Sequence, residues 1–452
     1  MHRDSWSDRS PFRQVNLHAA GIDVGSQSSW VAVPPDSSAT PVREFGMFTP
    51  DLEELARYLR SCQVTTVVLE STGVYWIALY EVLDASGFEV LLVDAHHVKQ
   101  VSGRKTDITD CQWLQQLHTF GLLRGAYRPT DALCALRSLV RQRAMLVEQR
   151  KTHIQHMQKA LTQMNLHLHH VISDITGVSG MQILRAILAG ERDVKVLASL
   201  RDRRIRASEE TVMKALTGNY RHEHLFALRQ AMSLYDLHST LINDCEKAIT
   251  AQAAVVAPPK PPSDSTTPTD PPPSPPPPRR SKPGVDEQMN ATLSRVAGGV
   301  DLTTIDGISS TTAAIVISEI GGNVNAWPSE RHFASWLRIC PNPRISGGKL
   351  LKRGGKRPLS RAALALRQAA QSLNHSKSAL GSFFRRLKNR IGAVKATTAA
   401  AHKLARIIYR LLKNGQDYVD QGQKAYEDKI KQRSIDALEK RAKGLGFKIV
   451  PT

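Results

Sequence analysis

Short apolar runs alternate with amphipathic stretches over the first quarter of the chain. Strand-like runs cover 18–24, 29–33, 41–46, 65–70 and 88–93, with a β-branched pattern over Thr65 to Leu69. Amphipathic stretches from Pro50 to Arg60 and from Val74 to Ser86 fall between them and predict helices. Three strands in hairpin succession, then alternating helix and strand, predict an α/β domain over 17–125. A helical pattern follows from Asp131 to Leu168, with Leu133, Leu136, Leu139, Val140, Leu146, Val147 and Ile154 as its apolar stripe. A second runs from His224 to Ala254 through Leu225, Leu228, Met232, Tyr235, Leu241 and Cys245. Long amphipathic helices bury little alone, so these two pair with each other or with another subunit, giving a connector or coiled coil over 131–254.

Residues 255–285 break both periods. They hold 13 of the chain's 24 prolines and almost nothing that packs into a core, which predicts a disordered or polyproline-like linker. Beyond it, apolar helices from Thr311 to Glu319 and from Leu359 to Leu373 predict a mainly α-helical C-terminal domain over 296–415. The remainder, 416–452, is a tail of mixed charge. Ahead of the first of these helices, Leu302 to Ser309 contains Gly307 and reads as a turn of the helix-hairpin-helix kind, whose backbone N–H groups suit a DNA phosphate; a plain helical hairpin is the competitor.

Charge changes the picture more than composition does. The formal net charge is +20, and Arg331 to Gln416 contributes 20 Lys/Arg without one Asp or Glu, so the rest of the chain is balanced. A solvated helical face would mix both signs; this segment points to a polyanion. The five cysteines, Cys62, Cys111, Cys134, Cys245 and Cys340, are widely spaced, which argues against a Cys zinc site or disulfide framework and suits a reducing cytoplasm. His167, His169 and His170 sit close together but read as helix-surface residues. No apolar run approaches the ~20 residues that span a bilayer, and Met1 to Gln14 is polar rather than a signal peptide.

The candidate chemistry lies in four carboxylates. Asp23 stands within the apolar run Ala19 to Val24, where an ionised carboxylate is costly unless something positive meets it. Glu70 closes the run Thr65 to Leu69. Asp107 and Asp110 share one face if their segment opens a helix. Each has a plainer explanation, a turn cap for Asp23 and a favourable helix dipole for the last two. Together, at strand and helix ends, they match what two Mg²⁺ ions need at a phosphodiester.

Gly21-Ile22-Asp23-Val24, Leu69-Glu70-Ser71-Thr72-Gly73-Val74-Tyr75 and Lys105-Thr106-Asp107-Ile108-Thr109-Asp110 resemble the DEDD motif of insertion-sequence transposases of the family numbered one-ten, which includes the Piv/MooV-type DNA invertases. The resemblance implies a RuvC-like N-terminal domain of RNase H-type fold, with metal held by Asp23, Glu70, Asp107 and Asp110. It also implies a C-terminal transposase domain with a serine motif. Ser346-Gly347, then Lys352-Arg353-Gly354-Gly355-Lys356-Arg357 and the helix from Leu359, match that order. By this likeness Ser346 attacks the phosphodiester and forms a covalent protein–DNA intermediate. Taken alone, Ser346 reads as a hydrogen-bonding turn residue.

Basic side chains near both sites, Lys105, Arg344, Lys349, Lys352, Arg353, Lys356 and Arg357, are candidates for nucleic-acid contact. Family likeness further implies DNA element ends and target as partners, an element-encoded guide RNA, a homo-oligomer (dimer or tetramer), and a cytoplasmic, nucleoid-associated location. Cys111 departs from the family pattern, standing where a small residue is usual. Two other readings share the residues: a RuvC-like hydrolytic nuclease or junction resolvase, for which Ser346 is dispensable, and a non-enzymatic nucleic-acid-binding protein whose carboxylates are structural.

Overall fold

The computed structural model describes residues 13–71, 73–93, 107–257, 285–340, 344–347, 349–352, 360–415, 418, 420 and 422–448. The chain divides into two compact units, Met1–Arg128 and Pro129–Thr452. Of the predicted linker, residues 258–284 lie outside the described residues. No described helix is long and apolar enough to cross a membrane.

The first unit is a five-stranded mixed sheet. Strands β1 (Ala19–Val24), β2 (Ser28–Ala32) and β3 (Val42–Gly46) form a meander, followed by α1 (Thr49–Ser61), β4 (Thr66–Glu70), α2 (Trp76–Ala85), β5 (Glu89–Val93) and α3 (Asp107–Thr119). The sheet order is β3-β2-β1-β4-β5, antiparallel across β3, β2 and β1 and parallel across β1, β4 and β5. Every strand predicted from the pattern is present to within one residue at either end.

Alternation decides which residues face which layer. Ala20, Ile22 and Val24 of β1 and Val67 and Leu69 of β4 join Leu52, Leu55, Leu59, Leu79 and Leu83 in one core with α1 and α2. The opposite face carries Val68 and Val93 against Leu114 of α3. Both faces of the parallel strands are therefore covered, which is why β4 reads as an unbroken apolar run.

In the second unit, α4 (Asp131–Gln163) is followed by the short helices α5 (Leu168–Val171), α6 (Val178–Ala189), α7 (Val194–Ser199) and α8 (Glu209–Ala215), and then by α9 (His222–Val256). Helices α4 and α9 pair within the chain as an antiparallel hairpin. Gln252 donates to the Ala132 carbonyl near one end (2.9 Å), Arg143 pairs with Glu246 (2.5 Å), and His238 meets Gln149 (3.2 Å). Helices α5 to α8 close the far end over a core of Met157, Leu161, Leu166, Leu168, Val212, Leu216 and Leu228. The predicted first stripe ends earlier than Leu168, because Asn165 adopts a left-handed φ of 55°.

The basic region folds as α10 (Val285–Val296), α11 (Ser310–Ile320), α12 (Glu330–Trp336), a ribbon of β6 (Arg344–Ser346) and β7 (Lys349–Lys352), α13 (Arg361–Ser372), α14 (Ala379–Ile391), α15 (Ala393–Asn414) and α16 (Gln423–Gly444). Ahead of α11 stands a single 3-10 turn, Leu302–Thr304, rather than a full helix. At Gly307, with φ of 86°, a Cβ would lie 2.6 Å from the Ala369 carbonyl oxygen, so this turn is packed against α13. The tail forms α16, where Glu427 accepts from Ser382 of α14 at 2.8 Å.

Buried charge ties α11 to the hairpin. Arg141 grips Glu319 with hydrogen bonds of 2.8 and 3.0 Å, and Arg137 lies 3.3 Å from the same carboxylate while donating to the Ser318 and Glu319 carbonyls. Such bidentate pairs fix geometry more than they add net stability. On α12, Glu330 is bonded by Arg410 and Arg406 of α15, and these bonds hold its carboxyl down to about 2.

Candidate active-site residues

In parallel strands, register-matched residues point to the same face. Ile22 is paired with Leu69, and one step further along both strands lie Asp23 and Glu70. Their face follows from their neighbours two residues back. Gly21 meets α3 directly, and Val68 packs on Leu114 of α3. Asp23 and Glu70 therefore project side by side on the α3 face, at the C-terminal ends of β1 and β4. In α/β sheets this edge is where ligands bind.

Helix α3 brings Asp110 to the same place. Its sheet-facing stripe is Cys111, Leu114, Gln115 and His118, and stepping back by four residues from Leu114 reaches Asp110. Helix direction settles where that end lies. Gln115 donates to the Ala19 carbonyl at 3.3 Å, and the Thr119 carbonyl accepts from Val15 ahead of β1. Thus α3 runs antiparallel to β1, and its N-terminal turn approaches the Asp23 end of the strand. Electrostatics agree: burial pushes the Cys111 thiol up to about 12, with the charges of Asp23 and Asp110 adding to the effect. Asp107 opens α3, but its side chain lies outside the described residues.

Two positions hold this arrangement, and both escaped the sequence reading. A Cβ on Gly21 would lie 2.3 Å from the Gln115 backbone nitrogen and 2.4 Å from the Cys111 carbonyl oxygen. The glycine lets a helix backbone rest on a strand backbone. Gly21→Ala is expected to lower the stability of this unit by about 1–3 kcal/mol, the scale of overpacking. Because it lifts α3 and Asp110 away from Asp23, cleavage should fall further than stability alone explains. Denaturant unfolding measured beside activity at low temperature separates the two effects.

His118 is the second. It is buried, and its Nε2 lies 2.8 Å from Thr66 Oγ1, which itself donates to the Glu89 carbonyl at 3.0 Å. The Thr66 hydroxyl therefore accepts, and His118 is a neutral Nε2–H donor. Burial lowers its pKa below the ordinary 6.5. An imidazole harder to protonate when folded leaves stability unaffected above pH 6.5. Below it the unfolded chain binds the extra proton, and stability falls by at most about 1.4 kcal/mol per pH unit until the folded pKa is passed. Comparing denaturation of wild type and His118→Gln from pH 8 to pH 5 checks this: the variant should lose that part of the slope.

Ser346 belongs to the second unit. It ends β6, is exposed, and pairs across the ribbon with Lys349, while Arg344 pairs with Lys352. Gly347 turns the chain with φ of 54°. The predicted turn-rich stretch is thus a two-stranded ribbon presenting a hydroxyl beside an exposed lysine. Lys105, Arg353, Lys356 and Arg357 lie outside the described residues, as do the side chains of Arg344 and Lys352.

Carboxylates at a sheet edge, in a chain that also carries an acid-free basic region with an exposed serine, are the residue types an enzyme acting on DNA needs. Comparison with known families makes that specific. Residues 20–166 match the DEDD domain model of IS110 elements, described as a transposase, and residues 301–385 match the model described as transposase IS116/IS110/IS902 family, together just over half of the chain. The chain belongs to the IS110 family of insertion-sequence transposases. No match is found among curated proteins. Its activity is therefore DNA transposition and recombination.

Proposed function

We propose that the protein cuts and rejoins the DNA of its own insertion element, using the sheet-edge carboxylates as a Mg²⁺ site and Ser346 as the nucleophile. The observation that carries this reading is the placement of Asp23 and Glu70 on one face, at register-adjacent strand ends, beneath the helix bearing Asp107 and Asp110. The strand order β3-β2-β1-β4-β5, with an antiparallel meander leading into parallel strands, supports an RNase H/RuvC-type fold for this unit.

The donor set fits the ion. Hard carboxylate oxygens suit Mg²⁺, and Cys111, whose thiol feels the charges of Asp23 and Asp110, is buried and held protonated, so it does not turn the site toward softer metals. Asp23, Glu70, Asp107 and Asp110 would hold two such ions, which supply charge stabilisation at the scissile phosphate and ease deprotonation of the attacking hydroxyl. The Ser346 oxygen forms a bond to phosphorus and loses its proton, the phosphorus–oxygen bond to one deoxyribose breaks, and that sugar oxygen takes a proton. The phosphodiester energy is kept in the protein–DNA link, so a second DNA end can rejoin where hydrolysis would discard it. Lys105, Arg344, Lys349, Lys352, Arg353, Lys356 and Arg357 serve phosphate contact. An element-encoded RNA that pairs with donor and target supplies sequence choice, and the protein works as a homo-oligomer, a dimer or tetramer, on the cytoplasmic nucleoid.

The test is covalent trapping. Purified protein, Mg²⁺, labelled DNA carrying the element junction and RNA from the element's flank are mixed and denatured. A DNA band linked to protein is expected. Cleaved DNA without linkage would replace this reading by a hydrolytic RuvC-like nuclease.

A further inference from the structure

Of the three histidines read as surface residues, His167 and His169 are half-buried and His170 is exposed. They lie where α4 ends and the short helix α5 begins, and one ring nitrogen from each falls within 4.8 Å of the other two. His167 and His170 stack at 5.0 Å, and His169 meets His170 edge-on at 4.3 Å. Surface imidazoles normally spend their nitrogens on water. Here the Nδ1 atoms of His167 and His169 are shielded from solvent and have no hydrogen-bond partner among the described residues. Leaving buried polar atoms unsatisfied is costly, and two in one small cluster call for a ligand.

The tautomer of His167 is consistent with one. Its Nε2 lies 3.0 Å from Asn165 Oδ1, an acceptor, so the proton sits on Nε2 and the Nδ1 lone pair is left facing inward. A ring whose outer nitrogen donates to a fixed acceptor while its inner nitrogen is bare is the usual state of a metal-ligating histidine. The surroundings are rigid enough to preserve it. Leu166 and Leu168, on either side of His167, are fully buried, and the His167 amide donates to the Ala215 carbonyl at 2.8 Å.

We propose that His167, His169 and His170 form a site for a transition-metal dication of the zinc class, distinct in ligand chemistry from the sheet-edge carboxylates. Three neutral imidazoles suit Zn²⁺, Co²⁺ or Ni²⁺ and disfavour Mg²⁺. The 4.8 Å span is wider than three nitrogens on one ion, and the exposed His170 ring can rotate to close it. Bound there, the ion fixes the start of α5 against the turn that ends α4.

The experiment titrates chelator-treated full-length protein with Zn²⁺, and separately with Co²⁺, in a large excess of Mg²⁺ that occupies oxygen-donor sites. One equivalent should bind to wild type, and Co²⁺ should give the visible absorption of a low-coordinate, nitrogen-rich site. His170→Ala, at an exposed position, should lose that equivalent without unfolding. Asn165→Gly, which relieves the left-handed backbone but removes the acceptor, should weaken binding about 10–100-fold. Absence of a Mg²⁺-resistant equivalent in wild type, or its persistence unchanged in His170→Ala and His169→Ala, would overturn the proposal.

Discussion

Asp23→Asn is expected to reduce DNA cleavage by about 10³–10⁴-fold, the several kcal/mol that metal-assisted charge stabilisation contributes. The change is nearly isosteric, so the sheet should be undisturbed. Asp23 lies between Ile22 and Val24, which anchor β1 in the core, and its backbone is held by pairing with Trp30. What disappears is one negative charge beside Glu70 and Asp110. DNA binding should survive, and it should strengthen slightly because a charge repelling phosphate is gone. Cleavage rates of a labelled element junction, read beside fluorescence anisotropy of binding, distinguish the effects. Glu70→Gln should behave in the same way. Wild-type cleavage by Asp23→Asn would remove the carboxylates from the chemistry and leave them as structural groups of a DNA-binding protein.

The second large effect is expected at Ser346. Ser346→Ala deletes one exposed oxygen at the end of β6 and should leave folding unchanged. If that oxygen forms the bond to phosphorus, the covalent protein–DNA product vanishes and strand exchange falls roughly 10⁴–10⁶-fold, the scale on which a lost serine nucleophile acts. Ser346→Cys is the informative companion, because a thiolate restores a nucleophile with a different preference for phosphorus. Denaturing gels of the trapped product decide the matter. A variant lacking the hydroxyl that still cleaves at the wild-type rate would show water as the nucleophile and reduce the ribbon to a phosphate contact.

Much of the first unit was legible because a strand's period of two is a local property. Once β1 and β4 are taken as parallel neighbours, their ends bring Asp23 and Glu70 together, and the apolar spacing alone marks both strands. The α3 arrangement was not legible in that way. Gly21 reads as a turn-adjacent glycine until a helix backbone is seen against it, and that helix lies about ninety residues later in the chain. The signal that could have found it is the stripe Cys111, Leu114, Gln115 and His118, in which polar residues occupy core positions because each has a backbone or hydroxyl partner in the sheet. The structured tail was missed for a related reason: α16 has no buried residue of its own and is held by polar contacts to α14.

By itself, then, the sequence determined the strands, the long helices, the acid-free basic region and the residue types capable of metal-assisted phosphoryl chemistry, since each follows from local periodicity or composition. Whether α4 and α9 pair within one chain, which face of the sheet α3 covers, and which way it runs were decided only by the tertiary structure. An amphipathic stripe states that a face must be buried, and it is the same stripe whatever surface does the burying. The histidine cluster belongs to the same class. Its spacing suits a solvated helix, and only the packing of Leu166 and Leu168 into the core turns two imidazole nitrogens away from water.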